Sequence, residues 1–178
     1  MALEFSPETL KKFEATVARY PKKEAAMLPV LYLAQQEFGH LGPEAIEYVA
    51  QLMDQPPVRV HGVVSFYTMY NMKPIGRHHI QVCRTLPCAL RGAERVTEEL
   101  MTALGIEPNG TDASGTFTLM EVECLGACDR APLVMVNDSW HECLEPEGAK
   151  KLVDDLRARG EAALTGCHHE APDRESKN

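Results

Sequence analysis

The chain has 178 residues, 26 acidic against 18 basic, for a net charge of −8, with an apolar fraction of 44%. That apolar content is enough for a buried core, and the lack of a dense Lys/Arg block excludes an electrostatic footprint for nucleic acid. No stretch approaches the roughly 20 apolar residues of a membrane span, and residues 1–20 lack a signal-peptide pattern, so the expected compartment is the cytosol.

The first seventy residues read as helices. Ser6-Pro7 offers an N-cap followed by proline at the first helical position, with Leu10, Phe13, Val17 and Tyr20 at helical spacing and Pro21 as the stop. A second helix is expected from about Ala25 to Phe38, with Pro29 in its first turn or at a kink and Gly39 as C-cap. A third starts at Pro43 and carries Ile46, Val49 and Met53. A fourth follows Pro56-Pro57, with Val60, Val63, Val64 and Tyr67 on one side. Asn71 to Gly76 have the proline and glycine of a connector, which predicts a helical, docking domain over 1–75 and a second domain over 76–160.

Beyond the connector the periodicity changes. His79 to Cys83 is strand-like, Gly92 to Leu104 is helical with Val96, Leu100 and Leu104 on one stripe, and Gly105 closes it. Thr116 to Glu123 alternates, Leu133 to Val136 is a continuous apolar run, and Trp140 to Leu144 pairs back across Asn137-Asp138-Ser139 as a hairpin. A final helix, Pro146 to Arg159, packs through Ala149, Leu152, Val153 and Leu156. The order β-α-β-β-α predicts an α+β (α/β) chain: an N-terminal helical bundle followed by a small mixed sheet of thioredoxin-like outline. Residues 161–178 read as a polar, flexible C-terminal tail.

Six cysteines in an unsecreted chain point to metal or redox chemistry rather than to disulfides. Cys83-Arg-Thr-Leu-Pro-Cys88 is a C-x4-C pair, and Cys124-Leu-Gly-Ala-Cys128 is a C-x3-C pair. Each is expected in a loop just after a strand, and two neighbouring strands would deliver both loops to one edge. Thiolates are soft ligands, which narrows the candidates to zinc, copper(I) and iron–sulfur clusters. Structural zinc usually takes C-x2-C knuckles, whereas a two-iron cluster takes two ligand pairs set farther apart, and the longer loops suit the latter. Gly126 and Ala127 leave room for backbone N–H groups to approach sulfur. Buried small hydrophobes and a zinc site remain open at this point. A thioredoxin-type function lacks its C-x-x-C, and His61, His78 and His79 do not fit a Rieske pattern and are expected as solvated or core residues.

These residues resemble a known family, the 24 kDa-type or E subunit of NADH–quinone oxidoreductase, the respiratory complex I. The resemblance covers nearly the whole chain. It rests on the C-x4-C and C-x3-C pairs, on Glu123-Cys124-Leu125-Gly126-Ala127-Cys128 with Ala131-Pro132 after it, on Val82 to Cys88, and on Gly62-Val63-Val64-Ser65-Phe66-Tyr67. It implies a thioredoxin-like ferredoxin domain with one [2Fe–2S] cluster, Cys83 and Cys88 on one iron and Cys124 and Cys128 on the other. It also implies docking on the flavoprotein subunit that binds FMN and NADH, electron exchange with that flavin, and a link through it to the larger iron–sulfur subunit. The place implied is the peripheral arm on the cytoplasmic side, without insertion into the membrane.

Similar chains serve NAD-linked formate dehydrogenases and hydrogenases, and a zinc-stabilised structural subunit is the alternative from another class. A free-standing ferredoxin would not need the docking surface of residues 1–75. The chain has no G-x-G-x-x-G fingerprint, so NADH is expected on another subunit, and one-electron transfer calls for no catalytic acid, base or nucleophile. Cys143 is expected as a buried residue, with a Cys143–Cys167 disulfide as the sharper alternative; His168 and His169 belong to the tail. Met53, Met69, Met72, Phe66, Tyr67 and Tyr70 are assigned to core packing or docking. The Ala131-Pro132 bond is of either isomer as far as sequence goes.

Overall fold

Helix α1 (Pro7–Val17) begins at Ser6, whose side chain accepts the Thr9 N–H, with Pro7 pre-set for the first turn. Its buried face is Thr9 and Phe13, one residue round from the expected stripe, and Leu10 and Tyr20 are exposed. The rotation follows from Thr9, whose hydroxyl donates to Glu37 at 2.6 Å and so holds that face inward. A 3-10 turn, Lys23–Ala26, leads into α2 (Met27–Phe38), which keeps Pro29 in its first turn and ends at Gly39 with φ of 80°. Helices α3 (Pro43–Met53) and α4 (Pro57–Phe66) each start on their prolines as expected.

Val30, Leu31, Leu41, Val49, Met53 and Val60 form the centre of this helical core. Phe5 sits among the rings of Phe13, Phe38 and Tyr48, and its N–H donates to the Tyr48 hydroxyl at 2.9 Å. Tyr70 is buried, its hydroxyl donating to the Leu28 carbonyl at 2.8 Å, and Met53 belongs to the core. Phe66, Tyr67, Met69 and Met72 are exposed instead.

The computed structural model describes residues 3–164, and the chain divides into two units, Met1–Ile75 and Gly76–Asn178. In the second unit the elements run β1 (His78–Cys83), α5 (Leu86–Leu90), α6 (Ala93–Leu104), β2 (Gly110–Thr111), β3 (Phe117–Val122), β4 (Val134–Val136), β5 (Ser139–His141) and α7 (Pro146–Arg159). They build one five-stranded sheet in the order β2-β3-β1-β4-β5. Strands β1 and β3 run parallel, from His78 opposite Phe117 to Cys83 opposite Val122; every other pairing is antiparallel.

One face of the sheet offers Ile80, Val82, Leu119, Val134 and Val136 to Val96, Leu100, Leu152, Val153 and Leu156, and α6 packs on α7. Gly76 brings the chain into the sheet: a Cβ there would meet the backbone of Phe117 at 2.7 Å, so only glycine fits. As the central strand, β1 is buried along its whole length, which takes His78 and His79 out of water and holds both below the usual histidine range. His61 is exposed.

Three expectations change. Helix α5 and strand β2 arise where loops were expected. Residues 161–163, expected in the tail, lie in a 3-10 turn, Gly160–Ala163, with Ala163 buried in the core. No described helix is long and apolar enough to cross a membrane.

Candidate metal centre

The parallel pairing of β1 with β3 sets the site, because strands that run the same way end at the same edge of the sheet. The last rung joins Cys83 to Val122, and the Arg84 N–H donates to the Val122 carbonyl at 3.0 Å one residue farther on. The two chains are clasped there a second time, by the Arg84 guanidinium on a Glu123 carboxylate oxygen at 2.8 and 3.2 Å. Just before the clasp lies Cys83, and just after it on the two segments lie Thr85 and Cys124.

Cys83 ends β1 and is buried, with its N–H donating to the Leu133 carbonyl at 3.1 Å. The chain turns at Thr85 into α5, where Pro87 occupies the first turn and Cys88 faces inward, also buried. Cys88 therefore sits on a short helix rather than in the loop that the sequence suggested. On the other side, Gly126 at φ of 92° lets residues 123–127 fold back, and a 3-10 turn, Cys128–Arg130, follows. Cys124 and Cys128 are exposed, their sulfurs 3.5 Å apart. One thiol pair thus comes from inside the unit and one lies at its surface.

Electrostatics tie the four together. Burial pushes the Cys83 thiol up, but the Thr85 hydroxyl and the N–H groups of Leu125 and Thr85 outweigh it and hold this thiol below its ordinary value. Burial and the hydrogen bond with Cys83 push Cys88 up to about 11, against a donation from the Leu133 N–H. The Gly126 N–H draws Cys124 down, and the hydrogen bond to Cys124 pushes Cys128 up. Within each pair one thiol is held below its ordinary value and its neighbour above it. Charge on Cys83 acts to raise each of the other three, Cys88, Cys124 and Cys128.

This donor set fits an anionic two-iron core, which needs two thiolates for each iron and amide donors for its negative charge. Two thiol pairs are present, and the N–H groups of Thr85, Leu125, Gly126 and Leu133 point at their sulfurs. Gly126 was legible as a donor; Leu125 and Leu133 were not, because an amide donor leaves no mark in the side-chain pattern. Among the described residues, no group of three or more His, Cys, Asp or Glu is placed to hold a metal ion, so the thiols stand as two pairs. Cys143 lies beyond β5, exposed at φ of 48°, because pairing of β5 with β4 stops at His141. Cys167, His168 and His169 fall outside the described residues, and the disulfide expectation with them. Ala131-Pro132 is cis.

The sequence model of the thioredoxin-like [2Fe–2S] ferredoxins matches residues 13–157. The chain belongs to this family. This thioredoxin-like [2Fe–2S] ferredoxin has relatives among subunits of NADH-quinone oxidoreductase. It is 44% identical over 156 residues to the E subunit of NADH-quinone oxidoreductase from Rickettsia bellii, a match covering 86% of this chain and 93% of that one. It is 41% identical over 148 residues to the E 2 subunit of NADH-quinone oxidoreductase from Rhizobium meliloti, covering 83% and 88% of the two chains. Its fold matches a chain of an NAD+-reducing [NiFe]-hydrogenase in the H2-reduced state with a TM-score of 0.66 at 21% identity. That match covers 75% of this ferredoxin and 23% of the hydrogenase chain, and so speaks for the fold alone.

Proposed function

We propose that Cys83, Cys88, Cys124 and Cys128 hold one [2Fe–2S] cluster, and that the chain is the electron-transferring E subunit of an NADH–quinone oxidoreductase. The observation that carries this is the gathering of four thiols, two and two, at the shared end of β1 and β3, in a chain close to proteins named for that role. A [2Fe–2S] cluster accepts and returns single electrons. The protein's part is to bind it from two sides, supply N–H donors to the sulfurs, and keep the Cys83 and Cys88 side dry while the Cys124 and Cys128 side meets the surface. A zinc-stabilised structural role has less support, since the family model that matches the chain is that of [2Fe–2S] ferredoxins.

The partner in this reading is the flavoprotein subunit with FMN and NADH, and through it the larger iron–sulfur subunit, on the cytoplasmic side of the membrane. Leu86 and Leu90 support docking at the site itself. They are 70% and 78% exposed, lie one turn apart on α5, and share that helix with Cys88. Tagged chain purified from its own cells should bring down a flavin-containing subunit, and NADH should reduce both flavin and cluster. Chain recovered alone, without flavin, would overturn the subunit reading. The double substitution Leu86→Glu and Leu90→Glu should leave the visible spectrum of the chain unchanged and remove most of the flavin from the purified material. Undiminished flavin would place docking elsewhere.

A further inference from the structure

Thr85 occupies the N-cap position of α5, where a threonine hydroxyl ordinarily accepts an N–H from the first turn. Here it makes no such bond. Its Oγ1 lies 3.3 Å from Cys83 Sγ instead. Its location follows from the clasp described above: once Arg84 is fixed to Val122 and Glu123, the next residues on the two segments are Thr85 and Cys124.

We propose that Thr85 is a positioning residue for the cluster, its hydroxyl donating to a ligand sulfur and thereby setting the reduction potential. This rests on the electron-carrier reading. A thiolate bound to iron has no proton to give, so the hydroxyl, which can donate or accept between free thiols, becomes the donor. It has one proton and donates to one sulfur at a time. Reduction adds negative charge to the cluster and its thiolates, and a donor to sulfur stabilises the more negative state. Removing the hydroxyl therefore lowers the midpoint potential. Because the hydroxyl caps no helix N–H, Thr85→Val keeps the shape of the side chain without uncapping α5.

The test is a potentiometric titration of the purified full chain, followed by EPR, for wild type, Thr85→Val, Thr85→Ala and Thr85→Ser. Val and Ala should each bind iron as wild type does. Each should shift the ratio of oxidised to reduced cluster at fixed potential by about threefold or more toward oxidised, about 28 mV at 59 mV per tenfold. Ser should restore the wild-type midpoint. Ala carries the comparison should Val exclude the cluster. Wild-type midpoints in Val and Ala, or a Ser midpoint displaced as far as that of Val, would overturn the role of Thr85 while leaving the electron-carrier reading intact. A wild-type chain that binds no cluster would overturn that reading, and this one with it.

Discussion

Cys83→Ala and Cys88→Ala each abolish the visible spectrum of the purified chain and bring its iron from about two per chain to none. Both thiols are buried, one ending β1 and the other on α5. Alanine offers iron no ligand in place of the thiolate. Metal binding is coupled to the folding of the segments that supply the ligands, so both variants also lose thermal stability relative to loaded wild type. Cys143→Ala, at an exposed position beyond β5, is the control and keeps full colour. Retention of iron and colour by Cys83→Ala would remove that residue from the ligand set.

Leu119→Ala lowers unfolding stability of the sheet unit by about 2–5 kcal/mol. Leu119 is fully buried in the middle of β3, opposite Ile80 of β1 and Gly110 of β2, on the face packed against the helices. Its truncation leaves a cavity between the strand that precedes the second cysteine pair and the strand that carries Cys83. The chain has a single tryptophan, Trp140, and it lies on β5 of this same sheet, so urea unfolding followed by its fluorescence reads the unit directly. Leu90→Ala, at a position 78% exposed, serves as the comparison and should stay within about 0.5 kcal/mol of wild type. A loss at Leu119 no larger than that at Leu90 would contradict the packing described.

The elements that were legible in the sequence are those whose signal is local and long. Helix α7 carries proline at its start and buries Ala149, Leu152, Val153 and Leu156 at helical spacing. Strand β1 was read from its run into Cys83 and β3 from its alternation up to the second cysteine pair. The elements that were missed are too short to show a period. Helix α5 is five residues and β2 is two, and each exists because its neighbours hold it: α5 by the turn at Thr85, β2 by pairing with Thr118 and Leu119.

Tertiary contacts decided the remaining points. The inward face of α1 is set by the bond from Thr9 to Glu37. The end of β5 at His141 leaves Cys143 in the open, where a longer strand had been expected to bury it. Thr85 escaped notice for a different reason. A threonine followed by Leu-Pro reads as an ordinary helix start, and only the structure shows that its hydroxyl turns to the Cys83 sulfur instead.

Iron and acid-labile sulfide analysis of the purified chain, with low-temperature EPR before and after dithionite, tests the central claim most directly. Two irons and two sulfides per chain, with a signal of spin one-half appearing only on reduction, are the predicted result for one [2Fe–2S] cluster. A colourless chain that binds one zinc ion and no sulfide would contradict it, and would make the four thiols a structural metal site.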